Sequence, residues 1–213
     1  MTALFPMHEK SARLNAETIA VSRGDVTLFE GLSASVNAGD ALWIQGSNGI
    51  GKTTLLEALA GLSRPDIGTI NWQMEGADVT ADRTVAYQPH LSCAKASLTA
   101  KEDLSFWAQI YGSTKDVAAA LEAVGLSHRQ GVPCQSLSAG QRKRLALAKL
   151  ILSQKPIWIM DEPDAAMDTT GISLIDSLIA QHIARGGSAI IASHAEPRKI
   201  GAQTRKLTLR SPS

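Results

Sequence analysis

The sequence predicts an α/β fold in which a parallel β-sheet forms the core. Residues 156–160 and 189–192 are continuous apolar runs without alternation, which is typical of strands buried on both faces of a parallel sheet. A third apolar run, 41–45, leads into a glycine-rich loop, and residues 53–62 then have helical composition. Strand, loop and helix in this order form the unit from which parallel sheets are built.

Two further patterns surround this core. The segments 14–21 and 26–36 mix apolar and polar residues at near-alternating spacing, which predicts an antiparallel β subdomain on one flank. Residues 172–183 carry apolar side chains at helical spacing, and Gly186 and Gly187 follow as a stop signal. That pattern predicts a helix crossing between two strands of the parallel sheet.

Helices are also predicted outside the alternation of strand and helix. Two are expected between residues 99 and 125, the first opening with a capping box formed by Thr99 and Glu102. Because they interrupt the alternation, we expect an inserted helical subdomain at approximately residues 90–150. The length of 213 residues suits one core, so residues 1–213 are expected to form a single domain.

Composition narrows the classes of protein. The 21 basic and 20 acidic residues give a net charge of +1, which does not suggest a nucleic-acid-coating surface. Cys93 and Cys134 lack the spacing of a disulfide framework or a zinc site, which favours a reducing cytosol. The richest apolar stretch, 145–152, is short and contains Lys149, so we expect neither a membrane span nor a secretion signal.

Residues 46–53 read GSNGIGKT and match the phosphate-loop pattern GxxxxGK[ST] between a buried strand and a helix. Backbone amides of such a loop and the helix N-terminus direct partial positive charge at phosphates. Lys52 is expected to bridge the β- and γ-phosphates, and Thr53 to ligate magnesium. The predicted nucleotide-binding residues are Gly46, Ser47, Asn48, Gly49, Ile50, Gly51, Lys52, Thr53 and Thr54. A simple tight turn is the alternative, but it leaves Lys52 and Thr53 unexplained.

Two acidic residues end the apolar run 157–160. Asp161 is expected at the carboxyl end of the sheet, where magnesium would lie. Glu162 follows directly and is a candidate general base for an attacking water. A solvated acidic pair at a strand end is the structural alternative.

The segment LSAGQ, residues 137–141, precedes a helix rich in basic and apolar residues. Ser138 and Gln141 have capping-box spacing. The structural and functional interpretations coincide here, because a helix N-terminus that carries Ser138 and Gly140 also presents free amides to an anion.

Taken together, these motifs resemble the ABC ATPase family, in which an LSGGQ-like signature contacts ATP held by the opposite subunit. The resemblance includes Gln88, a D-loop ending at Asp168 and a histidine, His194, after an apolar strand. It implies a P-loop NTPase with a RecA-like core that hydrolyses ATP with magnesium as a head-to-tail homodimer. Ser138 and Gly140 would contact the ATP of the partner subunit.

The same resemblance assigns roles to individual residues. Gln88 is similar to the residue that reaches magnesium and couples the nucleotide state to a transmembrane partner, and His194 resembles the switch histidine. The implied catalytic set is Lys52, Gln88, Glu162 and His194, and the implied metal ligands are Thr53, Gln88 and Asp161. The other histidines, His8, His90, His128 and His182, are expected to be structural.

The sequence departs from the family at three places. Arg23 lies where many members place an aromatic residue against adenine, and its guanidinium plane is the candidate replacement. Ile50 replaces the usual alanine and is expected to change packing under the phosphate loop. The D-loop has no hydroxyl residue.

Segments outside the shared motifs show a closer resemblance, to the ABC ATPases of bacterial cytochrome c maturation. They are residues 28–40, 46–68, 88–90 and 97–107. This implies a haem-related complex at the cytoplasmic face of the inner membrane, with a CcmB-like membrane subunit and CcmC- and CcmD-like proteins, and no nucleic acid. The alternatives are another small ABC exporter, a non-transport ABC protein or an unrelated phosphate-loop kinase.

Overall fold

The computed structural model describes residues 4–5, 7–8, 11–90, 94–200 and 203–210. The strands of these residues are β1 (Ala12–Arg23), β2 (Val26–Asn37), β3 (Asp40–Gln45), β4 (Ile67–Met74), β5 (Ala77–Val79), β6 (Val85–Gln88), β7 (Ile157–Asp161), β8 (Ser188–Ala192) and β9 (Gln203–Thr208). The α-helices described are α1 (Lys52–Leu59), α2 (Ala81–Thr84), α3 (Ala100–Ile110), α4 (Val117–Ala123), α5 (Ala139–Ser153) and α6 (Thr169–Ala184).

The parallel sheet has the order β6-β7-β8-β3-β9 within the described residues. The predictions of β3, β7 and β8 as buried strands are confirmed, since every residue of β7 and β8 is buried. The sequence interpretation missed β6 and β9. Strand β6 has only four residues, and β9 lies at the edge of the sheet with a mostly exposed pattern, so neither carries a continuous apolar run.

The second sheet is antiparallel and has the order β2-β1-β4-β5 in the described part of the chain. Its first two strands are the predicted pair, with Leu14 opposite Val36. Strands β4 and β5 were not predicted, because β4 buries none of its residues fully and therefore lacks a strong apolar alternation. The prediction of helix α1 over residues 53–62 was too long. The helix ends at Leu59, and Gly61 follows with φ +73°.

The hydrophobic core has two parts, one on each face of the parallel sheet. Side chains alternate along the strands, so Ile44 and Ile159 face the antiparallel sheet and α1. Trp43 and Trp158 face the helices α3 to α6 instead. This double burial explains why β7 and β8 have no polar face.

A buried ion pair joins helices α3 and α5. The predicted capping box is present, with Thr99 and Glu102 bonding each other's backbone amides at the start of α3. Lys149 of α5 lies 2.8 Å from the buried carboxylate of Asp103, and its ammonium lies over the Trp107 ring.

Within the described residues, none of the helices is both long and apolar enough to cross a membrane.

His182 is a structural residue, as predicted. Its ring stacks on Trp158 with 4.0 Å between centroids, and Nε2 lies 3.1 Å from the carbonyl of Pro156. A Cβ at Gly187 would lie 2.3 Å from this nitrogen, so the turn after α6 requires glycine. Cys134 is buried, whereas Cys93 lies outside the described residues.

Burial of His182 predicts acid sensitivity. Burial, and next the nearby His8, lower the pKa of His182 from 6.5 to about 3. Above pH 6.5 both states are neutral, but below it only the unfolded chain takes the proton. This residue alone should therefore cost about 1.4 kcal/mol of unfolding free energy per pH unit as the pH falls towards 3. Urea unfolding at several pH values should show a shallower loss for His182→Phe, and equal slopes would contradict the prediction.

Candidate nucleotide-binding and hydrolysis site

The phosphate loop joins β3 to α1 at the carboxyl end of the parallel sheet. Gly51 precedes α1 with φ +104°, and a Cβ there would lie 3.1 Å from Leu28. Glycine also has no side chain to cap α1, so the first amides of the helix remain available for an anion. Ile50 packs against Gly46, where a Cβ would lie 2.8 Å from its Cγ2. Alanine has no Cγ2 atom and could not make this contact.

Two side chains of α1 belong to this site. The Lys52 ammonium donates hydrogen bonds to the carbonyls of Gly46 and Ser47, at 2.9 and 3.2 Å, and is almost fully buried. The Thr53 hydroxyl donates to Asp161 at 2.7 Å. Thr53 and Asp161 are 108 residues apart in sequence. The fold thus brings the Asp161 carboxylate to the phosphate loop and its lysine.

A cavity of about 580 Å³ opens over the loop, a volume suited to a small ligand. It is lined by Arg23, Leu28, Asn48, Gly49, Gly51, Lys52, Thr53, Thr54, His90, Glu162 and His194. The antiparallel sheet contributes Arg23, the last residue of β1, to the cavity. Glu162 and His194 line the same cavity as the phosphate loop.

Glu162 occupies a strained backbone position. Its φ is +48°, a region that non-glycine residues rarely adopt, and its amide donates to the carbonyl of Ala192 at 2.8 Å. The Oε1 atom lies 2.9 Å from Nε2 of His194, and Oε2 lies 3.2 Å from Nδ1 of His90. His90, which was expected to be structural, therefore lies against the candidate base Glu162. Its position two residues after Gln88 was the signal in the sequence.

Gln88 and Asp161 are buried and do not line the cavity. Gln88 ends β6 opposite Met160 of β7 and is 2% exposed. Neither atom of its side-chain amide has a hydrogen-bond partner among the described residues, which is unusual for a buried polar group. Its side chain carries an oxygen atom, as those of Thr53 and Asp161 do, and oxygen is the ligand type that Mg²⁺ prefers.

Lys143 connects α5 to both segments that carry these groups. Its ammonium donates to the carbonyls of His90 at 2.7 Å, Glu162 at 2.9 Å and Asp161 at 3.4 Å. Burial lowers the pKa of Lys143, and the carboxylates of Asp161, Glu162 and Asp164 oppose that shift. Lys143 was not predicted from the sequence, because a basic side chain on a helix next to the signature is typical of a solvated residue.

The LSAGQ segment lies apart from the phosphate loop. Ser138 caps α5 through the predicted capping box, accepting from the amide of Gln141 at 3.2 Å. Ser138 and Gly140 line a second cavity, of about 530 Å³, together with Arg144 and Asp168. None of the phosphate-loop residues lines it. One chain therefore holds the two predicted halves of a nucleotide site at two different surfaces.

The sequence pattern of the ABC transporter family matches residues 29–165. The chain belongs to this family. It is an ATP-hydrolysing ABC subunit with a P-loop NTPase fold, so the predicted fold class and enzyme class are confirmed.

Relatives and solved structures agree with this assignment. The cytochrome c biogenesis ATP-binding export protein CcmA of Haemophilus influenzae is 40% identical over 199 residues, covering 91% of this chain and 92% of that protein. CcmA of Xanthomonas oryzae pv. oryzae is 41% identical over 209 residues, covering 96% and 97%. A solved ABC transporter ATP-binding protein from Pyrococcus furiosus has a TM-score of 0.80 over 92% of this chain and 97% of its own, at 23% identity. That likeness shows the fold alone.

A network of hydrogen bonds joins the D-loop, helix α6 and the segment around His194. The Ser193 hydroxyl donates to Asp164 at 3.0 Å, one residue before His194. Arg198 donates to Asp164 at 2.9 Å and to Asp176 of α6 at 2.7 Å. The D-loop and the segment of His194 are thereby tied to one guanidinium group. No sequence motif pointed to this network, because its members come together only in the fold.

The contacts of Lys143 predict a measurable contribution to stability. Lys143→Met keeps the side-chain length but leaves three carbonyls without their shared donor. We expect the free energy of unfolding to fall by about 1–3 kcal/mol. Lys101→Met on the exposed face of α3 is the matched control and should change it by less than about 0.5 kcal/mol. Urea unfolding of both variants is the measurement, and equal stabilities would contradict the prediction.

Proposed function

We propose that this chain is the ATP-hydrolysing motor of a bacterial export complex for cytochrome c biogenesis, and that the complex handles haem. The observation that carries the proposal is identity of about 40% to CcmA proteins across more than nine tenths of both chains. Such coverage includes segments outside the motifs that all ABC ATPases share. Haem itself rests on the resemblance to cytochrome c maturation systems.

In this proposal the phosphate-loop residues bind the triphosphate of ATP. The amides of Asn48, Gly49 and Gly51 and the N-terminus of α1 would meet the phosphates. Lys52 would exchange its bonds to the loop carbonyls for the β- and γ-phosphates. Arg23 would stack on the adenine from the antiparallel sheet.

Thr53, Gln88 and Asp161 are the proposed magnesium ligands. The unpartnered amide of Gln88 and the Thr53–Asp161 hydrogen bond support this set, because both provide oxygen atoms at the carboxyl end of the sheet. When bound, the ion would neutralise negative charge on the phosphates. These residues would hold it between the phosphate loop and strand β7.

Glu162 is the proposed general base and His194 its partner toward the γ-phosphate. The carboxylate faces the cavity next to Lys52 and Thr53, which suits a group that takes a proton from an attacking water. Spread negative charge in phosphoryl transfer would be stabilised by Lys52. Gln88 would couple this site to the membrane partner.

A second copy of the chain would complete each site. Ser138 and Gly140 line a cavity away from the phosphate loop, so in a head-to-tail homodimer they would meet the ATP of the partner subunit. We further propose a CcmB-like membrane subunit, CcmC- and CcmD-like proteins, and peripheral attachment at the cytoplasmic face of the inner membrane. Residues 1–213 would act as one domain, with helical residues at approximately 90–150 inserted in the core.

The role of Glu162 and the pathway are tested together. Deleting the gene should abolish haem-stained c-type cytochromes, and wild-type chain should restore them whereas Glu162→Gln should not. The purified variant should bind ATP normally but hydrolyse it about 100-fold or more slowly, because the base is lost. Phosphate release and binding of a fluorescent ATP analogue are the measurements.

Glu122→Gln, on the exposed face of α4, is the matched control and should behave as wild type. Intact c-type cytochromes in the deletion strain would reject the pathway and favour a different exporter. Unchanged hydrolysis by Glu162→Gln would reject the assigned base.

The proposed dimer predicts a different defect for the signature. Ser138→Arg places bulk and charge where the partner's nucleotide would lie, so hydrolysis should fall about 100-fold or more while ATP binding by each chain persists. Ser177→Arg, on the exposed face of α6, is the control. Full hydrolysis by Ser138→Arg in the assembled complex would refute the head-to-tail arrangement.

A further inference from the structure

The carboxylate of Glu162 has two histidine neighbours, one on each oxygen. His194 approaches Oε1 through Nε2 at 2.9 Å, and His90 approaches Oε2 through Nδ1 at 3.2 Å. Both rings are about half exposed, at 49%, while the Glu162 side chain is 20% exposed. Both rings also line the cavity above the phosphate loop. Two donors on different oxygens fix the rotation of a carboxylate in a way that one donor cannot.

The backbone of His90 is fixed relative to that of Glu162. Lys143 donates to the carbonyl of His90 at 2.7 Å and to that of Glu162 at 2.9 Å, so one ammonium group holds both residues. The backbone of Gln88, two residues before His90, pairs with β7 in the parallel sheet. The His90 ring therefore approaches Glu162 from an anchored segment and not from a free loop.

The chemistry of a carboxylate base explains what the contact of His90 contributes to Glu162. Each oxygen of an ionised carboxylate has two lone pairs, so one histidine on each oxygen still leaves a site for water. A base contributes most when its oxygen is already aimed at the proton that it takes. If His194 turns to the γ-phosphate, as proposed above, His90 is the contact that remains on Glu162.

We propose that His90 is a positioning residue that orients Glu162 for the attack of water on ATP, through its Nδ1 atom. This inference rests on the proposed function of Glu162 as the base. It adds a residue outside the phosphate loop, the signature and the acidic pair. It also explains why the segment after Gln88 is joined to β7 by Lys143.

The nitrogen that makes the contact permits a sharp test. In asparagine the amide nitrogen lies at the position of Nδ1, whereas in glutamine it lies near the position of Nε2. His90→Asn should therefore keep kcat within about twofold, while His90→Gln and His90→Ala should lower it about tenfold or more. The KM for ATP and the affinity for a fluorescent ATP analogue should stay unchanged in all three variants, since His90 is assigned no contact with nucleotide.

The measurements use the full-length chain purified with its membrane partner, at saturating ATP and magnesium. Lys101→Ala, on the exposed face of α3, is the control and should match the parent. Thermal unfolding of every variant should be unchanged, because the His90 side chain is half exposed. Loss of kcat with loss of folding in all three variants would assign His90 a structural role and overturn the proposal.

Two other outcomes separate this inference from the proposed function. If Glu162→Gln is inactive but all three His90 variants turn over at the parental rate, the positioning role fails and the base remains. If His90→Asn is as slow as His90→Ala with normal folding, the Nδ1 contact is not the cause and the proposal also fails. If Glu162→Gln itself hydrolyses ATP normally, the proposed function fails first.

Discussion

The ammonium group of Lys143 joins the three parts of the molecule that the proposed reaction needs. It extends from α5, whose first residues carry the signature, to the carbonyls of Asp161 and Glu162 at the end of β7 and to that of His90 after β6. A buried cation is costly unless its donors are satisfied, so these contacts constrain all three segments at once. The strained φ of Glu162 persists because its carbonyl and its amide are both held.

The parts of the fold that were predictable from sequence are those where both faces of an element are buried. Apart from Asp161 and Ser188 at their ends, strands β7 and β8 are apolar at every position, so their composition alone predicts a parallel sheet. Strands β4, β6 and β9 are short or exposed, and they form because neighbouring strands offer hydrogen bonds. The residues of β4, β6 and β9 therefore do not predict a strand by themselves. These strands depend on their partners β1, β7 and β3.

The same distinction applies to the site. The phosphate loop and the acidic pair were predictable because their chemistry depends on neighbours in sequence, such as the lysine and threonine that follow a glycine loop. Lys143 and Arg198 act on groups far away in the chain, and nothing near them in sequence indicates it. For His90 the one signal is its position two residues after Gln88. His182 shows the converse, because a lone histidine in an apolar helix was correctly expected to pack in the core.

The position of Lys143 on α5 links the two cavities mechanically. Ser138 caps this helix, and Lys143 lies five residues further on, about 7 Å along the helix axis. Ser138 and Lys143 thus lie on the same helix, so in the arrangement proposed above a contact made at Ser138 would act on the carbonyls of Glu162 and His90 through α5. Nucleotide bound by a partner copy at the signature would thus influence the base in the same chain. In the head-to-tail homodimer proposed above, this link would make hydrolysis in each chain depend on the engagement of its own signature.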